Sequence, residues 1–416
     1  MHSCNERPFF LRLLKSAALY AAVLAAALLP GASAFGDDEG STAFQIDAAH
    51  DGNMVFPGGF APPLTKKWSI NLHRNVGYPL VANGLLFVVG LADKGDLFAL
   101  DVTTGKLVWH RTISRQHWAF AGCDNGRIFV LDYGGLLQAF AADRTNTLLW
   151  SLQLKTHRDE VFMSPPVATG GKIFMDGTGA DVRFVYAVDE ASGTVSWQSP
   201  TDGGGGGGGG MAIADGGVFT SHPYQAYKFD AATGKQLWHD NWNGAGGGAQ
   251  TEVYFQNRVY SRDLAAADHL VLDSNTGKIV GSFAGLEAPA FWSDPNGKPF
   301  EIILDDGKYL AVDPRTENVV WTFTGDGFLT STPIVINGIV VALSQEQNMY
   351  LLDAETGKQL WTISDGIGYS PTDEHNLGQL SGIGAGDGML LIPAGSSLVA
   401  YAPSGPKNFT PPPRLK

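Results

Sequence analysis

The sequence predicts an all-β ring of eight small sheets: an eight-bladed β-propeller with four-stranded antiparallel blades. Three observations carry this. A nine-residue phrase recurs, as DVTTGKLVW at 101–109, DAATGKQLW at 230–238, DSNTGKIVG at 273–281 and DAETGKQLW at 353–361. Aligned on its last position, it marks Trp68, Trp109, Trp150, Trp197, Trp238, Gly281, Trp321 and Trp361, with steps of 41, 41, 47, 41, 43, 40 and 40 residues. Eight marks about 42 residues apart are the mark of a repeat array, and the runs between them are short, β-branched and aromatic.

Each unit has the same internal order. A first apolar run leads through a turn into a second, as in VANGLLFVVG (81–90), VATGGKIFMD (167–176) and VINGIVVAL (335–343). A further run ends at the aspartate, as in DLFALD (96–101), FVYAVD (184–189), AYKFD (226–230) and MYLLD (349–353), and the TGK turn leads to a last run through the tryptophan. Asn-Gly, Gly-Gly and Asp-Gly between such runs are hairpin signals. The aspartate side chain accepts backbone N–H groups two or three residues on, and the glycine permits positive φ. The tryptophans Trp68, Trp109, Trp150, Trp197, Trp238, Trp321 and Trp361 offer broad apolar faces that wedge between neighbouring sheets. They are structural docking residues, not catalytic ones.

Such sheets bury little alone, and radial packing solves that. KKWSINL (66–72) carries a tryptophan without the first strands of its unit, and GDGMLLIPAGSSLVAYAP (386–403) carries first strands without a tryptophan. Joined, they are expected to form the eighth blade and close the ring.

The first 34 residues read differently. Arg7, Arg12 and Lys15 precede an apolar run, Ala17–Leu29, and Ala32-Ser33-Ala34 fits a signal-peptidase site. Thirteen apolar residues are too few to span a bilayer. The expected organisation is a signal peptide (1–34), an arm (35–62), the propeller (63–403) and a disordered tail (404–416), with a periplasmic or secreted protein released near Ala34. No cysteine follows the apolar run to take a lipoprotein lipid, and only Cys123 remains after cleavage, so the mature protein relies on its core rather than on a disulfide. Composition agrees with a globular chain: 44% hydrophobic, 17% charged, 53 glycines. The formal charge of −13 becomes about −15 without the leader, which argues against nucleic-acid and membrane-surface binding.

The recurring A-x-D-x-x-T-G-K-x-x-W phrase resembles the tryptophan-docking repeat of the pyrroloquinoline quinone (PQQ)-type eight-bladed propellers. That superfamily includes the quinoprotein alcohol dehydrogenases and the outer-membrane assembly lipoprotein BamB, and the resemblance covers roughly residues 63–403. It implies a choice of functions. One is a non-catalytic scaffold binding other envelope or periplasmic proteins, with the chain itself a monomer. The other is a divergent PQQ-dependent alcohol or sugar dehydrogenase with calcium. A sensor or sugar-polymer-binding propeller is a third. The dehydrogenases carry a vicinal Cys-Cys pair, calcium held by Glu, Asn and Asp, and an aspartate base. Here there is neither a Cys-Cys pair nor a C-x-x-C-H haem motif, so the scaffold is the expectation and PQQ with calcium the alternative.

Candidate ligand residues lie just before each inner strand, where the resemblance places the channel lining. They are Arg74 and Tyr78, His117 and Trp118, Arg158 and Glu160, Gln250 and Glu252, Thr330 and Ser331, and Asn376 and Gln379. Tyr78, Trp118, Arg158 and Glu252 are the expected contacts for a planar anionic quinone. No spacing among them identifies an acid/base couple. Gly203–Gly210 lacks the G-K-[ST] of a phosphate loop and reads as a side-chain-free linker. Cys123 reads as a small buried hydrophobe, Asp305-Asp306-Gly307 as a hairpin turn, and the ten histidines show no metal spacing. PGGFAPPL (57–64) reads as an extended arm running into the ring.

Overall fold

A computed structural model describes residues 40–116, 118–154, 160–179, 183–202, 209–242, 250–262, 269–285, 287–372, 374 and 379–405. These residues form strands and turns without a helix, arranged as eight antiparallel sheets in a ring: an eight-bladed β-propeller. Blades 1 to 7 span 80–114, 119–153, 167–201, 212–241, 253–283, 290–323 and 334–364. The eighth sheet takes Gly384–Gly386, Met389–Ala394 and Ser397–Pro403 from the end of the chain. Its outer strand is Leu64–Asn71, which pairs Leu64 with Pro403 and Asn71 with Ser397. Among the described residues no helix is long and apolar enough to cross a membrane.

The repeated phrase builds the same joint at successive seams. The Asp101 carboxylate accepts the Thr104 N–H (3.1 Å) and hydroxyl (2.8 Å), and Asp230, Asp273 and Asp353 hold Thr233, Thr276 and Thr356 likewise. The following glycines sit at φ 67–74°. A methyl group on Gly105, Gly193, Gly234, Gly277 or Gly357 would fall 2.5–2.8 Å from the indole of Trp68, Trp150, Trp197, Trp238 or Trp321. The glycine is therefore needed twice, for its backbone and as the floor on which the previous blade's tryptophan lies. Each of these indoles also donates its N–H to a carbonyl of the same turn, from Trp68 to Val102 (2.9 Å) through Trp321 to Ala354 (3.0 Å).

Two features of the joint are not visible in the phrase. In all eight blades the pairing slips by one residue just before the tryptophan position, a β-bulge that re-aims the side chain. Opposite Trp68, Trp109, Trp150, Trp197 and Trp321 stand Ala400, Ala99, Ala139, Ala187 and Ala311, small enough to admit an indole. Blade 5 breaks the rule in a matched way. Gly281 replaces the tryptophan, and Glu317 (φ 58°) replaces the glycine of blade 6, its Oε1 2.8 Å from where a Gly281 Cβ would sit.

Residues 40–56 belong to no blade of their own. Instead they run along the inner strands. Carbonyls of Ser41, Thr42, Ala48, Ala49, Asp51 and Gly52 accept the N–H groups of Val81, Cys123, Ile213, Tyr254, Phe291 and Val335, each 2.7–2.9 Å long. These donors come from blades 1, 2, 4, 5, 6 and 7, while Ser41 donates to Ala385 of blade 8 at 2.8 Å. Asn53–Met54 adds a parallel strand to blade 7. The free inner edges of the sheets are thus capped by the chain itself, with Phe44, Ile46 and Phe56 buried.

Candidate functional site

Two groups of residues stand beside the inner strands, called here the lower and upper layers. Residues 40–56 make the lower one. Gln45 Nε2 donates to the carbonyls of Pro333 (3.2 Å) and Ala288 (3.4 Å), and Phe44 meets Tyr78 edge-on at 5.7 Å. His50 lies 2.6 Å (Nδ1) from the Phe44 carbonyl and 2.9 Å (Nε2) from that of Met211. Both partners only accept, so the ring satisfies both only when it carries two protons. Burial pulls its pKa down against the two carbonyls and the Asp47 and Glu374 carboxylates.

The upper layer lies among the loops that link blades. Glu374, between blades 7 and 8, reaches blades 5 and 6: its carboxylate accepts Arg262 Nη2 (2.7 Å), the Thr251 N–H (2.9 Å) and the Ala288 N–H (3.3 Å). Burial opposes its charge, but the Arg262 guanidinium and these N–H groups hold its pKa below the usual value. Beside it Glu252 is fully buried, with one carboxyl oxygen accepting Ser221 and Ser261 (3.0 Å) and the other without a partner. Burial pushes Glu252 up to about 8. Gly209 and Gly210 pack so closely on Gln250 and Thr251 that a Cβ would collide with them.

Further out, between blades 3 and 4, Asp176, Arg183 and His222 are buried together. Burial raises Asp176 to about 7, with Arg183 pulling it back and Glu160 adding to the rise. Burial also takes His222 down to about 3, so its 3.7 Å approach to Asp176 is a contact with a neutral ring, not an ion pair. Its Nδ1 accepts Arg183 Nη1 at 2.7 Å, and Nε2 faces Thr201 Oγ1 at 3.1 Å.

The expected contacts are dispersed across this region. Tyr78 is buried and donates to the Ala121 carbonyl at 2.5 Å, its pKa pushed up by burial. Trp118 is half-buried, edge-on to Tyr133 at 5.0 Å, and joins the apolar cluster that holds Tyr78. Glu252 belongs to the polar group described above. Arg158, His117 and Asn376 lie outside the described residues. Arg74 binds Asp96 at 3.0 Å, Glu160 accepts the Tyr186 hydroxyl at 2.6 Å, and Ser331 receives Tyr309 at 2.7 Å through its carbonyl. Gln250 is buried, Thr330 Oγ1 receives Gln345 Nε2 at 3.3 Å, and the Gln379 amide packs against Gly77. Cys123 is buried, and Asp306 and Gly307 take the positive φ of a turn. Of the glycine run, 203–208 lies outside the described residues. Among the described residues no three His, Cys, Asp or Glu side chains gather as a metal ligand set.

Sequence reasoning assigned residues 40–56 to an arm (35–62) without its path along the inner strands, and missed Glu374, Arg262 and the Asp176–His222 group. One signal was present for the first: AFQIDAAHDGNMVF (43–56) is apolar at spaced positions yet falls outside the 42-residue step.

Ring and seams together define an eight-bladed propeller with tryptophan-docked blades. The family profile described as outer membrane protein assembly factor BamB matches residues 63–206, 183–280 and 297–406, and the chain belongs to that family. It is also similar to two curated proteins, each described as the dehydrogenase subunit of a quinone alcohol dehydrogenase. That of Gluconobacter oxydans (strain 621H) is 24% identical over 71% of this chain and 40% of its own length. That of Gluconacetobacter polyoxogenes is 23% identical over 78% and 44%. The chain thus spans less than half the length of the curated relatives it matches. Among solved structures, the quinohemoprotein alcohol dehydrogenase of Pseudomonas putida HK5 superposes with a TM-score of 0.63 at 14% identity, over 91% of this chain and 82% of that one. BamB from Moraxella catarrhalis gives 0.59 at 14% identity, over 83% and 99%. These likenesses are of fold.

Proposed function

We propose that the chain is an exported, non-catalytic propeller that serves as a protein-interaction scaffold in the cell envelope, in the manner of an assembly factor. The observation that carries this is the bonding of the groups beside the inner strands: residues 40–56 cap those strands in seven of the eight blades, and the Glu374 carboxylate is held by Arg262 and two backbone N–H groups. PQQ, the group the fold family implies, fits these side chains poorly. It is planar and anionic, whereas these described residues offer the acids Glu252 and Glu374 and a guanidinium already bonded to one of them. The apolar leader and Ala32-Ser33-Ala34 support export, and the family match supports the envelope.

The second reading is a divergent PQQ-dependent alcohol or sugar dehydrogenase, favoured by the names of the two curated relatives. One experiment separates them: titrate purified residues 35–416 with PQQ and calcium and follow tryptophan fluorescence. The scaffold predicts a flat titration on folded protein, with envelope proteins co-purifying. Saturable quenching at micromolar quinone, lost in Trp118→Ala or Arg158→Ala, would establish the dehydrogenase reading instead.

A further inference from the structure

The face opposite the blade-linking loops carries the first and last turns of each blade, and at the seam of blades 2 and 3 two of them meet through acids 66 positions apart. Asp124 and Asn125 form the first turn of blade 2, and Glu190 follows Asp189 in the last turn of blade 3. Asn125 Nδ2 stands 3.1 Å from Asp124 Oδ2 and 3.0 Å from Glu190 Oε2, so both carboxyls converge on one point. Glu190 is 2% exposed, and its other oxygen, Oε1, is buried without a hydrogen-bond partner. Its main chain is tied at both ends. The Glu190 N–H donates to Gly171 O (3.1 Å), and its carbonyl accepts the Trp150 indole (2.9 Å). Asn125 is exposed, which leaves the point open to solvent. Arg127 is nearby, but its Nη1 donates to the Asn125 carbonyl at 3.3 Å.

We propose that Asp124, Asn125 and Glu190 form a binding site for a calcium-class divalent cation that clamps blade 2 to blade 3. The donors are hard oxygens once the Asn125 amide turns over, a change that alters little in shape. Two carboxylates, one amide oxygen and solvent water suit calcium, which accepts irregular geometry, better than magnesium, which requires a near-regular octahedron. Burial, and then the Asp124 carboxyl, raise Glu190 to about 8, so a proton competes for the same place. The site lies on the side of the ring away from the axial polar layer and stands whether or not the chain binds a quinone.

The test uses the full mature chain, stripped with EDTA and titrated with calcium chloride at pH 8.5 and pH 6, at constant ionic strength and with no quinone present. Few protein ligands place the expected Kd in the extracellular range, about 0.1–1 mM. The wild type should bind one calcium more than Glu190→Gln, more weakly at pH 6. At 10 mM calcium and pH 8.5 its Tm should rise by roughly 2–4 °C, a rise absent from the variant. Asp124→Asn, at a half-buried turn position, repeats the test should Glu190→Gln fold poorly. Equal binding and equal Tm shifts in all three proteins would overturn the proposal. So would a wild type that loses stability from pH 6 to pH 8.5 without any rescue by calcium, since a shared proton alone would then join the carboxyls.

Discussion

At the residue scale the tryptophan and the glycine of the phrase are two halves of one contact, made between neighbouring blades rather than within one. The spacing revealed both residues but not their partnership, because contact across a seam leaves no trace in the order of one repeat. Asn146 (φ 56°) and Glu317 (φ 58°) occupy glycine's backbone position without glycine's identity, so neither was legible as part of the joint. The Gly281–Glu317 exchange permits a sharp prediction. Gly281→Trp alone must compete with the Glu317 side chain and should destabilise the protein by about 1–3 kcal/mol. Adding Glu317→Gly should recover most of that loss, with a coupling above about 1 kcal/mol in a urea-denaturation double-mutant cycle. Additive effects would show that the two positions do not form one socket.

At the element scale the informative segment is 40–56, which has no repeat identity and yet contacts inner strands around the ring. Those strands are short, three residues in blades 4, 5 and 7, and each leaves inner-edge N–H groups that need partners. A segment that supplies them becomes part of the core. Phe44 should therefore behave as a blade residue: Phe44→Ala is expected to cost about 3–5 kcal/mol in chemical denaturation, because the side chain is 1% exposed against Tyr78 and Gly382. A cost below about 1 kcal/mol would mean that the segment merely lies on the ring. The sequence placed an arm here from composition. Its destination depended on hydrogen bonds to strands 40 to 344 residues away, which no local pattern encodes.

At the scale of the whole molecule, charge and burial set a pH dependence. Burial raises Glu252 and Glu301 to about 8 and Asp176 to about 7. A carboxyl whose folded pKa is raised holds its proton more tightly when folded. It contributes stability that is complete below the unfolded value near 4 and is lost as pH rises through 7 to 8. Glu374, held low by Arg262, acts in the opposite sense and only at acid pH. The mature protein should thus melt at a lower temperature at pH 9 than at pH 6, and Glu252→Gln should flatten that slope. A Tm that does not change between these values would contradict the assignment of these groups as buried acids. The ring itself was legible throughout, because blade number, strand order and the succession of apolar runs are periodic, and a period is a property of sequence alone. The eight marks, the turn aspartates and the tryptophans determined the fold class. The bonding of residues 40–56, Glu374 and Arg262 was decided by the tertiary structure: they meet only when the blades bring distant segments together, and burial, set against the partners each acid finds there, then decides which acids carry charge.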